Sequence, residues 1–369
     1  MKSLTTEQRY LLKAFDADPR RRAILKSLFV MGVGATAVGK FADVLAAASA
    51  DTVEKLTILS QPGVLPELCT SISTPAINAE YDGLAVEVLD SNNATSYPRM
   101  LAQRNSPVIS GAMINDYFAQ RGITDGMWEK FDPEIMTNLE FVPEELMTPG
   151  GYGIPFIFSP FGIMYNPDKV EAPTSWKDLW KSEYKGRVSM WDAYFDAYVM
   201  AGVVSEGKPE VAAGIDAWKP HKDNIGAWVS SPIVESDLVS RGEVWLAPHW
   251  GAYSELARSQ DKNVAFAMPE DGAVQWACHM QLCKGFSEAE AHLAQLYMNT
   301  WLSEDFQLAA AEKGFFSPVN SSVTLPDALK QPGIMTVEEA IDDLIRPDFK
   351  EIGSQIPKYK RMIDRSLKG

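Results

Sequence analysis

Three tryptophans stand next to polar groups at inferred ends of strands or turns. Trp191 precedes Asp192, with Asp196 shortly after it. Trp250 follows His249, and Trp276 follows the turn Pro269–Glu270–Asp271–Gly272. Flat aromatic faces with carboxylates beside them suit an organic cation: the ring attracts the charge and the carboxylate accepts its hydrogen bonds. The chain holds ten Trp and twelve Tyr, so a cluster drawn from several elements is within reach of its composition. Ser60, Gln61, Ser91, Asn92 and Ser110 fall at inferred strand ends in the first third of the chain, where open α/β sheets collect polar ligands.

Other chemistries are less well served. No nucleophile elbow, P-loop, GxGxxG or HExxH occurs. The four histidines, His221, His249, His279 and His292, lack paired spacing, and no metal site or cofactor is indicated. As an exported enzyme the chain offers only Asp192 with His249 as an acid–base pair. As an anion binder it offers Ser60, Ser110, Ser230 and Ser231 at strand or helix ends. Cys278 and Cys283 share a strand at odd spacing and face opposite sides, so buried thiols are expected for them and for Cys69.

The elements that must position these groups follow a βαβ pattern. Residues 53–60, 83–89 and 107–110 read as strands separated by helices, which implies a parallel sheet covered by helices in an α/β fold. From Tyr152 to Asp196 two apolar strands, 154–158 and 162–166, flank Pro160–Phe161. Thr174 or Ser175 then caps a short helix whose Trp176, Leu179 and Trp180 share a face, and a strand at 187–191 delivers Asp192 to its end. Strands at 226–229, 243–248, 264–268 and 275–282 alternate with helices. A capping box, Ser287–Glu288–Ala289–Glu290, opens a long helix.

Residues 1–50 read as an export segment. Arg20–Arg21–Arg22–Ala23–Ile24–Leu25–Lys26 precedes a mild apolar run, and Ala48–Ser49–Ala50 offers a small-residue cleavage site, together resembling a twin-arginine signal. Lys40 and Asp43 argue against a retained span. Without that segment 26 basic residues face 45 acidic ones, a balance of −19, which disfavours nucleic acid and anionic membrane surfaces as partners.

Several motifs in order and spacing carry a resemblance: Tyr-x-Ile-Pro-Phe from Tyr152, Gly-Ile-Met-Tyr-Asn from Gly162, Pro-Thr-Ser-Trp-Lys-Asp-Leu-Trp from Pro173 and Tyr-Lys-Gly-Arg-Val from Tyr184. Gly242–Glu243–Val244 then leads to Trp250, and Pro269–Glu270–Asp271–Gly272 to Trp276. The chain from 53 to 320 resembles the extracellular solute-binding proteins of ABC importers, and within them it is most similar to the spermidine/putrescine-binding branch.

The resemblance implies a two-lobed type II periplasmic-binding-protein fold with two hinge-crossing strands. Its first lobe would span 51–159 plus 276–369, its second 160–275. It also implies a monomer that traps a small polar, amine-bearing solute between the lobes and hands it to an inner-membrane permease, with no catalysis. Trp250, Trp276, Asp196 and Phe316 fall on ligand-contacting positions of that branch, and Asp192 and Trp191 accompany them. Cys278 stands where polyamine binders carry an aspartate, and Ser60–Gln61 where they carry an aromatic. The neighbouring ferric-ion branch carries adjacent tyrosines near Trp250–Gly251, a pair absent here.

Overall fold

The computed structural model describes residues 53–148 and 150–369; the expected export segment and its cleavage site lie outside the described residues. The first lobe opens with β1 (Lys55–Ser60), β2 (Ala85–Asp90), helix α1 (Asn93–Ala102), β3 (Gly111–Asn115) and α2 (Asp116–Thr124). β1 pairs in parallel with β2 and with β3, as alternation of strand and helix requires. Asn92 caps α1 by accepting from the Thr95 amide at 3.0 Å.

The chain crosses to the second lobe on β4 (Ile154–Tyr165), twelve residues of which all but the last are buried. Beyond it lie β5 (Val188–Trp191), α3 (Asp196–Glu206), α4 (Val211–Trp218), β6 (Ile225–Val229), α5 (Pro232–Ser240), β7 (Leu246–Trp250), α6 (Gly251–Ser259) and β8 (Ala265–Ala267). The return crossing is β9 (Ala273–Cys283), followed by α7 (Glu288–Asn299), α8 (Glu304–Gly314), β10 (Ser317–Pro318) and the C-terminal α9 (Phe349–Ser366). The strand order β2-β1-β3-β9-β4-β7-β5-β6 places the two crossing strands side by side in the middle, antiparallel, with Trp276 opposite Ser159 and Val274 opposite Phe161. β1–β3 continue the sheet on one side and β5–β7 on the other, which is the two-lobed α/β fold.

Three sequence expectations change. The strands expected at 154–158 and 162–166 are the single strand β4. Pro160 stands where β4 changes partner, from β10 at Ile157–Phe158 to β7 at Phe161–Tyr165, so a residue without an N–H is accommodated inside the strand. The strand expected at 107–110 is β3, shifted to Gly111–Asn115. Pro107 and the half-exposed Val108 precede it, and pairing with β9 begins only at Gly111. The helix expected at 176–180 is a 3₁₀ turn, capped by Ser175 with Asp178 reaching back in a capping box. The expectation for the cysteines holds: Cys69, Cys278 and Cys283 are buried free thiols.

In the second lobe α3 lies tightly on α4. A Cβ on Gly214 would sit 1.7 Å from the Tyr198 carbonyl oxygen, and one on Gly202 would sit 2.6 Å from that of Glu210. α3 opens with Asp196, so this contact fixes where that carboxylate stands. Gly214→Ala should destabilise the fold by about 1–3 kcal/mol or more, read as a lower Tm. An unchanged Tm would mean that the helices do not meet at this distance.

Candidate functional site

Trp250 ends β7, and its ring is surrounded by others. Phe161, Trp191, Tyr194, Tyr253 and Trp276 lie with ring centroids 5.3, 5.2, 5.2, 6.1 and 6.1 Å away. Phe316 stacks on Trp276 at 6.3 Å and meets Tyr253 at 5.9 Å. Most of these contacts are edge-to-face, which sets the positive rim of one ring against the negative face of the next. Trp276 and Phe316 come from β9 and the turn after α8; Trp191, Tyr194 and Tyr253 come from segments beyond β4. The cluster therefore stands where the two lobes face each other.

Local structure explains how these rings are aimed. Phe315 caps α8 with φ at 58°, a left-handed turn that redirects the chain into Phe316. Gly251 follows Trp250 because a Cβ there would meet Gly333 Cα at 2.5 Å. The Ser159 hydroxyl on β4 accepts from the Ala252 amide at 3.0 Å, which ties the crossing strand to the helix carrying Tyr253.

Asp196 is 1 % exposed. Tyr117, on α2 of the first lobe, donates to its Oδ1 at 2.6 Å, and the Tyr117 and Phe195 rings meet at 5.9 Å, so this bond spans the lobes. Among the described residues Oδ2 of Asp196 has no hydrogen-bond partner. Burial raises the Asp196 carboxyl to about 7, opposed by the Tyr117 bond and reinforced by the charge of Asp116. Nε1 of Trp250, Nε1 of Trp276 and Oδ1 of Asn115, the last residue of β3, are also buried and without partners among the described residues. Asn115 pairs in register with Cys278, whose thiol burial raises well above its ordinary value.

Other buried acids near this cluster are fully engaged. Asp116 accepts from the Ala277 amide at 2.6 Å and from His279 Nε2 at 2.8 Å, while His279 Nδ1 lies 3.2 Å from Thr148 Oγ1. Glu235 accepts from Ser189 Oγ at 2.5 Å and from Trp191 Nε1 at 2.6 Å, with His249 Nε2 at 3.6 Å. Burial raises Glu235 to about 8 and lowers His249 to about 4, so the pair is mostly neutral near pH 7. Glu235 thus holds Trp191, and Trp191 meets Trp250.

Of the residues singled out in the sequence, Trp191, Trp250, Trp276, Phe316 and Asp196 converge, and the Cys278 thiol is close enough to act electrostatically on Tyr194 and Tyr253. Ser60 and Gln61 sit nearby at the end of β1 but are spent on the backbone: Ser60 Oγ donates to the Gln61 carbonyl at 3.2 Å, and Gln61 Nε2 to that of Met113 at 3.2 Å. Two candidates stand elsewhere. Ser110 precedes β3 rather than ending a strand, so it lies at the opposite end from Asn115, and it donates to Glu290 on α7 at 2.9 Å. Asp192 is bound by Lys368 at the end of the chain. The acid–base pair Asp192 and His249 does not form, because His249 faces Glu235. Ser231 serves as the cap of α5, accepting from the Val234 amide at 3.5 Å.

Sequence reasoning missed Tyr117, Tyr194, Asn115 and Glu235. Asn115 would have been found by setting the end of β3 five residues later. Glu235, inside a helix one turn after its cap, carries no local sign that it is buried. Because its folded carboxyl is raised from 4.5 to about 8, the unfolded chain releases a proton that the folded one keeps, and stability falls as pH rises from about 4.5 to 8. Glu235→Gln should therefore match the wild-type Tm near pH 5 and exceed it by a few degrees near pH 8. Melting curves that keep the same separation at both pH values would contradict a protonated Glu235.

Comparison with known proteins places the chain. It is 26 % identical over 345 residues to the spermidine/putrescine-binding periplasmic protein of Escherichia coli strain K12, covering 88 % of this chain and 91 % of that one. Its fold matches the crystal structure of a spermidine/putrescine ABC transporter substrate-binding protein from Streptococcus pneumoniae, with TM-score 0.61, 19 % identity, and coverage of 83 % of this chain and 99 % of that one. It also matches a periplasmic binding protein from Actinobacillus pleuropneumoniae with fructose-6-phosphate bound, with TM-score 0.70, 17 % identity, and coverage of 85 % and 98 %. At such identities these structural likenesses speak for the fold alone. The family model for bacterial extracellular solute-binding proteins matches residues 108–338, more than half of the chain, and the protein belongs to that family.

Proposed function

We propose that the protein is the solute-binding component of an ABC importer. It captures a small polar, amine-bearing solute between its lobes and delivers it to an inner-membrane permease. The observation that carries this reading is the Asp196 carboxylate, buried among aromatic rings with one oxygen lacking a partner and the other held by Tyr117 across the cleft. An ammonium placed there completes the hydrogen bonding of Oδ2, faces ring systems that attract cations, and favours the ionised carboxyl. The relatives named for spermidine and putrescine support an amine.

In this reading 51–159 with 276–369 forms one lobe and 160–275 the other. Ligand favours the closed arrangement because it contacts rings from both sides, and the permease reads that state. The protein acts by binding rather than turnover, as a monomer in the periplasm after twin-arginine export. Among the described residues no helix is long and apolar enough to cross a membrane, and no group of His, Cys, Asp and Glu is arranged to hold a metal ion.

A thermal-shift screen of the mature protein against amines, amino acids, carboxylates, phosphate esters and metal ions tests the reading. Amines should raise the Tm. Trp250→Ala should abolish the shift, while Trp250→Phe keeps part of it; a response confined to anions would overturn the amine. A bound ammonium favours ionised Asp196, so binding releases a proton while Asp196 is protonated in the free protein. Affinity for an amine should therefore rise with pH by up to about tenfold per unit below about 7 and level off above it. Titration calorimetry from pH 5.5 to 8.5 measures this, and a pH-independent Kd would exclude Asp196 as the partner.

A further inference from the structure

The polar atoms left without partners in the cleft are unequal in kind, and this bears on the far end of the solute. Several carboxylates lie near the ring cluster. Asp116 has both oxygens engaged, by Ala277 and His279, and Glu235 has both engaged, by Ser189 and Trp191. Asp192 is neutralised by Lys368, whose ammonium also lies 4.8 Å over the Trp228 ring. Asp90, at the end of β2, acts on Tyr253 from an exposed position where water screens it. Asp196 Oδ2 remains as the buried carboxylate oxygen without a partner among the described residues.

Two of the other orphan groups at the ring cluster are donors. The indole N–H groups of Trp250 and Trp276 find no acceptor, although the two rings touch at 6.1 Å. Elsewhere among the described residues indoles go both ways: Trp191 and Trp176 donate to Glu235 and to the Gly272 carbonyl, whereas Trp180, Trp218 and Trp301 also find no acceptor; the pair at Trp250 and Trp276 differs in facing the ring cluster between the lobes. A second ammonium among these rings would bring more donors to a place already rich in them and would lack a carboxylate of its own, a costly way to bury charge. A hydroxyl or carboxylate oxygen would instead accept from the indoles.

Resting on the amine reading above, we infer that the cleft selects a solute with one ammonium group and a hydrogen-bond acceptor at its other end, in preference to a diamine. Asp196, with Asn115 Oδ1 on the opposite lobe, receives the ammonium end. Trp250 Nε1 and Trp276 Nε1 donate to the acceptor end, and the ring faces enclose the alkyl segment between.

Titration calorimetry on the mature protein with matched series of three, four and five carbons tests this: the α,ω-diamine, the amino alcohol, the ω-amino acid and the plain alkylamine. At the best chain length the amino alcohol or amino acid should bind at least about tenfold tighter than the diamine. Trp276→Phe and Trp250→Phe keep a ring but remove an N–H. At least one of them should weaken the amino alcohol or amino acid several-fold more than it weakens the plain alkylamine. A diamine that binds tightest, or a preference unchanged in both variants, overturns the inference and leaves the amine reading standing. If no amine in the series binds, the amine reading falls and this inference with it.

Discussion

The pairing of β4 with β9 is the constraint on which the rest of the molecule depends. Each strand serves both lobes, and together they join the two halves of the sheet. Their antiparallel register sets Trp276 opposite Ser159 and Val274 opposite Phe161. Trp276 thereby reaches the cleft from one side, while β4 pairs Phe161 with Trp250 on the other. The aromatic cluster is thus laid out by backbone hydrogen bonding before any side-chain preference acts. A one-residue slip would turn Trp276 away from the cleft, since neighbouring side chains on a strand point to opposite faces.

Burial does different work on three acids. Asp116 lies between two donors and ties α2 to the crossing strand β9. Glu235 also accepts two hydrogen bonds, yet complete burial without a cation beside it raises its carboxyl to about 8, and its task is to hold Trp191. Asp196 is balanced near neutrality with one oxygen satisfied. A carboxyl in that condition responds to a cation: it is neutral enough to be buried without one and ionises when one arrives. Position in the fold, rather than residue type, separates the three roles.

The C-terminal helix α9 binds the arrangement from outside. Phe349 meets Tyr117 at 5.5 Å, and Tyr359 meets Phe195 at 5.7 Å, so one helix touches both residues that flank the Tyr117–Asp196 bond. Gly353 permits this approach, because a Cβ there would sit 2.5 Å from the Tyr117 carbonyl oxygen. Beyond the helix, Lys368 reaches Asp192. A residue that reads from the sequence as a ligand contact is thereby made a structural anchor by a segment 176 residues away.

The sequence by itself determined the α/β class, the order of strands and helices, and the solute-binding family, because apolar periodicity, turn residues and motif order are local properties. It also determined that Trp191 and Trp250 would stand at strand ends; Trp276, expected there too, lies inside β9, and Asp196 opens α3, yet the four meet in one cluster. Only the tertiary structure decided which of them are free to act. Asp192 and Asp196 are four residues apart and alike in type, yet Lys368 occupies one while Tyr117 leaves an oxygen of the other open. Ser110 lost its place because β3 begins where its neighbour β9 offers partners, a choice made between strands far apart in the chain. Glu235 and Tyr117 entered the site through contacts that span 44 and 79 residues. Hydrogen-bond partners and burial are properties of the assembled fold, and they set the charge, orientation and availability of every group the sequence could only name.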